Sequence, residues 1–460
     1  MRFSTLLSAL VGFTATASAK PISIDITKNL IRDNNGFTEV APVDITEVVI
    51  TKDNTLNGTH TGDELITRPP TEPDQQSIQA VDAVVATLPL QFTNNFGSAV
   101  NAYVVGYDSN SAVVFVRQDG SLVYPSSGGS AVPVPITTNV KIPVAAGQVA
   151  TMRIPIAMHS TRIYFSVGDL NFGVVKTDIG EGLVQPDEKN PTDPSSKLNW
   201  GFVELTLNPD GSLFANISYV DFMGLPLGMK LDVNGGSAQT AYGLKANSVN
   251  SACSDLSAQQ AQDGAPWAAL CQSNSGGLIR VISPNSYSVT NPNGFGTYWD
   301  NYINQVWSKY SNENLIIDTQ AGFGKLNCRV SGNQMTCDGG DNRAYPKPTA
   351  LDIWGCNSGP FARQASDNEQ HVRVIPRLCS AFVRSTLLLA GGNVQPSLPQ
   401  STYYSVNPSN HYGRLVHKYE IDGKGYAFPY DDVNPTGSEN AEGSVSHGSP
   451  NLLTIYIGGQ

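Results

Sequence analysis

From Leu88 onward the chain alternates apolar and polar residues in short runs, LPLQFTNN, NAYVVGYD, AVVFVRQDGSLVY, TRIYFSVG and LNFGVV, at regular intervals. Runs of that length, broken by Asn, Asp and Gly, predict an antiparallel β-sandwich or barrel. The stretch WGFVELTLNPDGSLFANISYVDFMGLPLGM, Trp200 to Met229, opens as a hairpin. With the two-residue period of a strand, Val203, Leu205 and Leu207 share one face, and Trp200, Phe202, Glu204, Thr206 and Asn208 the other. A type I turn over NPDG, with Gly211 in the left-handed region, sets Asn208 opposite Ser212, Thr206 opposite Phe214 and Glu204 opposite Asn216. After Asp232 the period changes. Helical spacing runs through SDLSAQQAQDGAPWAALCQ, TYWDNYINQVWSKY and RLCSAFVRSTLLL. A polar loop then leads through HYGRLVHKYEIDGKGYAFPYDDV to an alternating terminal run, NLLTIYIGGQ.

The chain before Leu88 has another character. Arg2, the apolar run from Leu6 to Phe13 and Ala17-Ser18-Ala19 before Lys20 have the layout of a secretory signal peptide cleaved after Ala19. That run is too short for the ~20 residues of a membrane span. Residues 20–85 are rich in Thr, Asp, Asn and Pro, and read as a polar leader or pro-segment with an exposed glycosylation sequon at Asn57. The expected organisation is therefore a signal peptide (1–19), a leader (20–85), a β domain (86–232), a disulfide-containing α/β domain (233–400) and a segment returning to the β domain (401–460).

Composition narrows the partners. Charged residues are 15% of the 460, against ~25% in typical globular domains. The formal charge is −11 and Lys/Arg do not cluster, so nucleic acid and anionic membranes are repelled and a neutral polymer fits better. All six cysteines fall between Cys253 and Cys379, an even number that in an exported chain favours three disulfides. Neighbour pairing would join Cys253 to Cys271, Cys328 to Cys337 and Cys356 to Cys379. No Cys-x2-Cys pair supplies zinc spacing, and no metal or cofactor is expected. A secreted monomer, extracellular or in a cell wall, is the resulting expectation.

The even face of the hairpin is the candidate for chemistry. Glu204 stands in a row with Thr206 and Asn208 behind Trp200 and Phe202, and Asp221 follows after a turn. Short polar groups beside aromatic rings suit a sugar, whose hydroxyls need hydrogen bonds and whose C–H surfaces need flat partners. The competing reading is a solvated strand face whose aromatics cover a loop. With 39 carboxylates in the chain, the spacing of Glu204 and Asp221 carries little weight alone. Serine-hydrolase elbows, nucleotide loops and His-Glu-x-x-His are absent. His417 with Asp431 and Asp432 reads as a hydrogen-bonded structural loop, with a calcium site as the alternative.

FVELTLN, NISYVDFMGLPLGM, RIYFS, DIWGCNSGPFA and YAFPYDDV together resemble glycoside hydrolase family 64, the secreted β-1,3-glucanases, which is in turn similar to thaumatin-like proteins. The resemblance runs from about Leu88 to the end. It implies a mainly β fold: a thaumatin-like barrel or sandwich packed on a mixed α/β domain, with a wide glucan groove between them. It further implies inverting hydrolysis, with Glu204 in FVELT as general acid, Asp221 in SYVDF as general base, and Thr206 and Asn208 lining sugar subsites. Phe214 stands where family members can carry a stacking tryptophan, so that contact is weaker here. A β-1,3-glucan-binding protein without turnover is the alternative.

Geometry puts a condition on this pair. In an unbroken hairpin Asp221 would lie opposite Asn199, on the wrong face and ~17 Å along the ladder from Glu204. An inverting pair stands roughly 6.5–9.5 Å apart. A bulge or bend is therefore expected between Ser218 and Asp221, with Gly224 and Pro226 just beyond it.

Overall fold

The computed structural model describes residues 86–437 and 441–459, together with a short antiparallel pairing of Leu30–Arg32 with Thr38–Val40. The expected signal peptide, the rest of the leader and Asn57 lie outside the described residues.

Beside a small sheet of Val134–Pro135, Gly173–Thr177 and Gly180–Val184, two large sheets build the β part. The larger runs in the order Ser444–His447, Leu213–Ile217, Asn199–Leu207, Met158–Val167, Val100–Tyr107, Val113–Val116 and Leu122–Val123, with Ile142–Val144 also on Val100–Tyr107. The smaller runs Gln239–Ala241, Leu227–Val233, Pro450–Ile457, Leu88–Asn94 and Val149–Ile154. The terminal strand lies parallel to Leu88–Asn94, with Leu453 opposite Leu90, so strands from far apart in the sequence close this sheet together. Val203, Leu205 and Leu207 are buried, as the alternation requires. Phe92 of the smaller sheet meets Phe165 of the larger edge to face, with centroids 5.2 Å apart.

The second part packs helices Asp300–Asn312 and Glu369–Val383 on a five-stranded sheet that includes Leu315–Asp318 and Lys325–Ser331, while Ser248–Asp263 packs on the strand Gly277–Ile282 and His411–Tyr419 packs on Ser248–Asp263. The structure joins Cys253 to Cys271, Cys328 to Cys337 and Cys356 to Cys379. Two helices differ from the periodicity. The first begins before Ser254 and stops at Gly264, which caps it at φ 74°, leaving Trp267–Leu270 as a separate 3-10 turn. The third begins at Glu369, where the Asn368 side chain accepts from the His371 amide at 3.0 Å, and it ends at Val383. The apolar run to Leu389 is thus non-helical, and Ser385 turns with φ 56°.

A short strand pairing joins the halves. Phe222–Met223 pairs with Gly277–Ile282, Phe222 lying opposite Ile282. Asp221 sits at the head of that crossing. Among the described residues no helix is long and apolar enough to span a membrane.

Candidate active site

The hairpin takes the register its turn dictates. Gly211 has φ 85°, and the amides of Asn208 and Gly211 donate to Ser212 O and Asn208 O, each at 2.9 Å. Glu204 is therefore opposite Asn216, and Thr206 opposite Phe214. On the other side Glu204 faces Arg162. Arg162 donates through Nε (3.1 Å) and Nη2 (3.0 Å) to Glu204 Oε1, and Asn216 Nδ2 approaches Oε2 at 3.5 Å. The guanidinium also lies 4.3 Å from the centre of the Phe202 ring. Glu204 is only 2% exposed. Burial raises its carboxyl above the usual range, although Arg162, Asn216 and Ser218 all pull the other way.

Asp221 reaches this site because the ladder breaks. The last pair of the hairpin is Val203 with Ile217; Ser218 instead bridges in parallel to Tyr426, and the Tyr219 amide donates to Tyr426 O at 2.9 Å. The chain then crosses the Asn199–Leu207 strand, with the Leu225 amide on Trp200 O at 3.1 Å. Only a glycine fits at that crossing, because a Cβ on Gly224 would lie 2.3 Å from Trp200 O. The irregularity demanded by the spacing thus exists, and it places Asp221 within the electrostatic field of both Arg162 and Glu204. Asp221 is half-buried. Its carboxyl is pushed up to about 6, first by burial and next by Glu188; Arg162 and Lys189 oppose this and Glu204 adds to it.

The other expected sugar contacts divide. Trp200 is 1% exposed, its indole N–H donates to Ser195 O at 3.1 Å, and its ring meets Phe222 at 4.6 Å. It has no face open to a ligand in this conformation, since the crossing segment covers it. Thr206 is buried as well. Asn208 and Phe214 keep partial exposure, and Asn208 Nδ2 is spent within the turn on Ser212 Oγ at 2.9 Å.

Asp431 is fully buried. Its Oδ2 accepts from Ala427 N at 2.9 Å and lies 3.0 Å from His417 Nε2, while Oδ1 accepts from Arg384 at 2.9 Å. These are the hydrogen bonds of a structural loop, and cationic neighbours occupy the oxygens a calcium ion would need. Among the described residues no group of three or more His, Cys, Asp or Glu is placed to hold a metal.

Sequence reasoning missed Arg162, Tyr164, Glu188 and Lys189. Arg162 carried a usable signal, a charge inside the apolar run TRIYFSVG. Asn216-Ile217-Ser218 is a second glycosylation sequon, and the register buries it: Asn216 is 1% exposed and points its amide at Glu204. Peptide mapping of protein secreted from a glycosylating host should find Asn216 unmodified; full occupancy would contradict this packing.

Glu204 and Asp221 are thus two carboxyls that burial makes weaker acids, set where the β part meets the α/β part. The profile of the glycoside hydrolase 64 family, described as β-1,3-glucanase, matches residues 86–457, and the chain belongs to that family. It is similar to a glucan endo-1,3-beta-glucosidase of Cellulosimicrobium cellulans, 30% identical over 82% of this chain and 66% of that protein. A protein of the same description from Arthrobacter sp. (strain YCWD3) is 29% identical over the same shares. The matched part thus spans just under two thirds of those relatives' length. Among solved structures, a laminaripentaose-producing β-1,3-glucanase in complex with laminaritetraose has 30% identity and a TM-score of 0.70, covering 81% of this chain and 99% of that one. A family 64 domain from Clostridium beijerinckii shares the fold at 21% identity and a TM-score of 0.62, covering 81% of this chain and 98% of its own.

Proposed function

We propose that this chain hydrolyses β-1,3-glucan with inversion, using Glu204 as general acid and Asp221 as general base. The observation that carries this reading is the break at Ser218, which turns Asp221 out of the ladder and toward Arg162 and Glu204. An acid must reach the leaving oxygen while protonated, and burial favours the neutral form of Glu204. Arg162 engages Oε1, so Oε2 is the oxygen left to carry the proton. Once the proton has gone to the leaving group, Arg162 stabilises the carboxylate that forms. Asp221, half-buried and ionised above about pH 6, activates the water on the other side of the anomeric carbon. Phe214, with part of its ring exposed, offers a flat surface to a sugar.

Export, a monomeric state and a thaumatin-like groove belong to the same reading, and the three disulfides support export. The test is release of reducing ends from a soluble β-1,3-glucan by the purified protein. Binding of the glucan without release would replace the enzyme with a glucan-binding protein.

A further inference from the structure

A carboxylate and a lysine for which the proposed reaction has no use, Glu188 and Lys189, lie close to Asp221 on the loop that follows Gly180–Val184, and a second carboxylate, Asp187, precedes them. The Lys189 side chain is 3% exposed, and its Nζ is 3.0 Å from Asp187 Oδ1 and 3.6 Å from Glu188 Oε1. Three charges in the interior are costly to desolvate, so their retention beside a reactive carboxylate calls for a reason. The loop is fixed rather than draped. Tyr164 donates its hydroxyl to Gln185 Oε1, and buried Arg280 donates to Glu188 O at 3.4 Å and Ser196 O at 2.5 Å.

One turn of helix holds both acids. Ser286 Oγ donates to Glu188 Oε1 at 3.2 Å, and the amide of Ser283 donates to Asp221 O at 2.8 Å. Ser283 is the cap of Pro284–Thr290, the helix to which Ser286 belongs. Glu188 is thereby tied by its side chain, and Asp221 by its backbone, to the same four residues.

We propose that Glu188 and Lys189 are a positioning pair for the reaction, two opposed charges that set the pH at which Asp221 exchanges its proton. This rests on the reading of Asp221 as general base. The groups that face Asp221 come from four elements: Arg162 and Tyr164 on Met158–Val167, Glu204 on Asn199–Leu207, Glu188 and Lys189 on the loop, and Tyr412 on His411–Tyr419. Among the charges, Glu188 contributes most and raises the Asp221 carboxyl, while Lys189 lowers it. Neither residue is required to touch the sugar. Their effect is read in where the acid limb of activity falls, not in whether there is activity.

The experiment is the pH dependence of kcat/KM on soluble β-1,3-glucan for wild type, Glu188→Gln, Lys189→Met and the double variant. Removing the negative charge should move the acid limb down by about half a unit to one unit, and removing the positive charge should move it up by a smaller amount. The double variant should fall back near wild type. Limbs unmoved within about 0.2 units, or single variants that move in the same direction, overturn the proposal. If Glu188→Gln does not fold, Ser286→Ala decides in its place, because it releases Glu188 from its hydrogen bond and keeps every charge. A limb shifted down then supports the proposal, and an unmoved limb overturns it. Asp221→Asn, assayed alongside, separates the two claims. If it stays active, the base assignment falls; if it is inactive and the limbs of the other variants are unmoved, only the role of Glu188 and Lys189 falls.

Discussion

Glu204→Gln and Asp221→Asn are each expected to lose about 10²–10⁴-fold in the rate of glucan cleavage while keeping the fold and the ability to bind glucan. Each substitution keeps the size of the side chain and removes its capacity to give or take a proton. In Glu204→Gln the carbonyl oxygen would still accept from Arg162, while the new NH2 replaces the oxygen that accepts from Asn216 Nδ2, so Asn216 has to turn its amide and accept through Oδ1 instead. For Asp221→Asn the backbone contact with Ser283 is unaffected, which leaves the crossing in place. Initial rates of reducing-end release, with circular dichroism as the control on folding, check both. A folded variant that keeps more than about a tenth of wild-type activity would remove that residue from the mechanism.

Arg384→Met is expected to give the largest loss of stability, about 3–5 kcal/mol, because it takes from a buried carboxylate one of its two cationic partners. Arg384 is 2% exposed and donates to Asp431 Oδ1 at 2.9 Å, to Asp431 O at 2.7 Å and to Val433 O; its guanidinium lies 4.3 Å from the Tyr403 ring centre. With Arg384 gone, His417 is the remaining cation on Asp431. His417 is raised above its usual value against the effect of its burial, chiefly by Asp431. Its contribution is therefore complete below the unfolded histidine value of about 6.5 and is lost as pH rises through the higher folded value. Burial alone would raise Asp431, but His417 and then Arg384 outweigh it and lower the carboxyl, so its contribution is lost as pH falls through its depressed folded value. Urea unfolding of the variant should accordingly show a stability that declines more steeply than wild type as pH rises above about 6.5. A midpoint unchanged from wild type both below and above about pH 6.5 would contradict the role given to Arg384.

The hairpin was legible because two local rules agree: strict alternation from Trp200 to Leu207, and a turn, NPDG, that admits one register. The need for a break before Asp221 was legible too, since an unbroken ladder would separate the acids. Where the chain would go was not, because Ser218 pairs with Tyr426 and Phe222 with Ile282, partners far away in sequence. Trp200 shows the limit of alternation. A strand face covered by another segment and one open to a ligand have the same pattern, and Phe222 supplies the cover here. Arg162 and Glu188 escaped for a similar reason, since each acts on a carboxylate more than thirty residues away in sequence. The helix Glu369–Val383 stops short of the apolar run that continues to Leu389, because Arg384 and Ser385 turn the chain toward Asp431 and Pro408.

The measurement that tests the central claim most directly is proton NMR of a soluble β-1,3-glucan during the first minutes of cleavage, before the new reducing ends mutarotate. Two carboxylates acting as acid and base on opposite sides of the bond predict that the α-anomer appears first and the β-anomer grows in later. An initial β-anomer would mean retention, and would require a nucleophilic carboxylate in place of the pair Glu204 and Asp221.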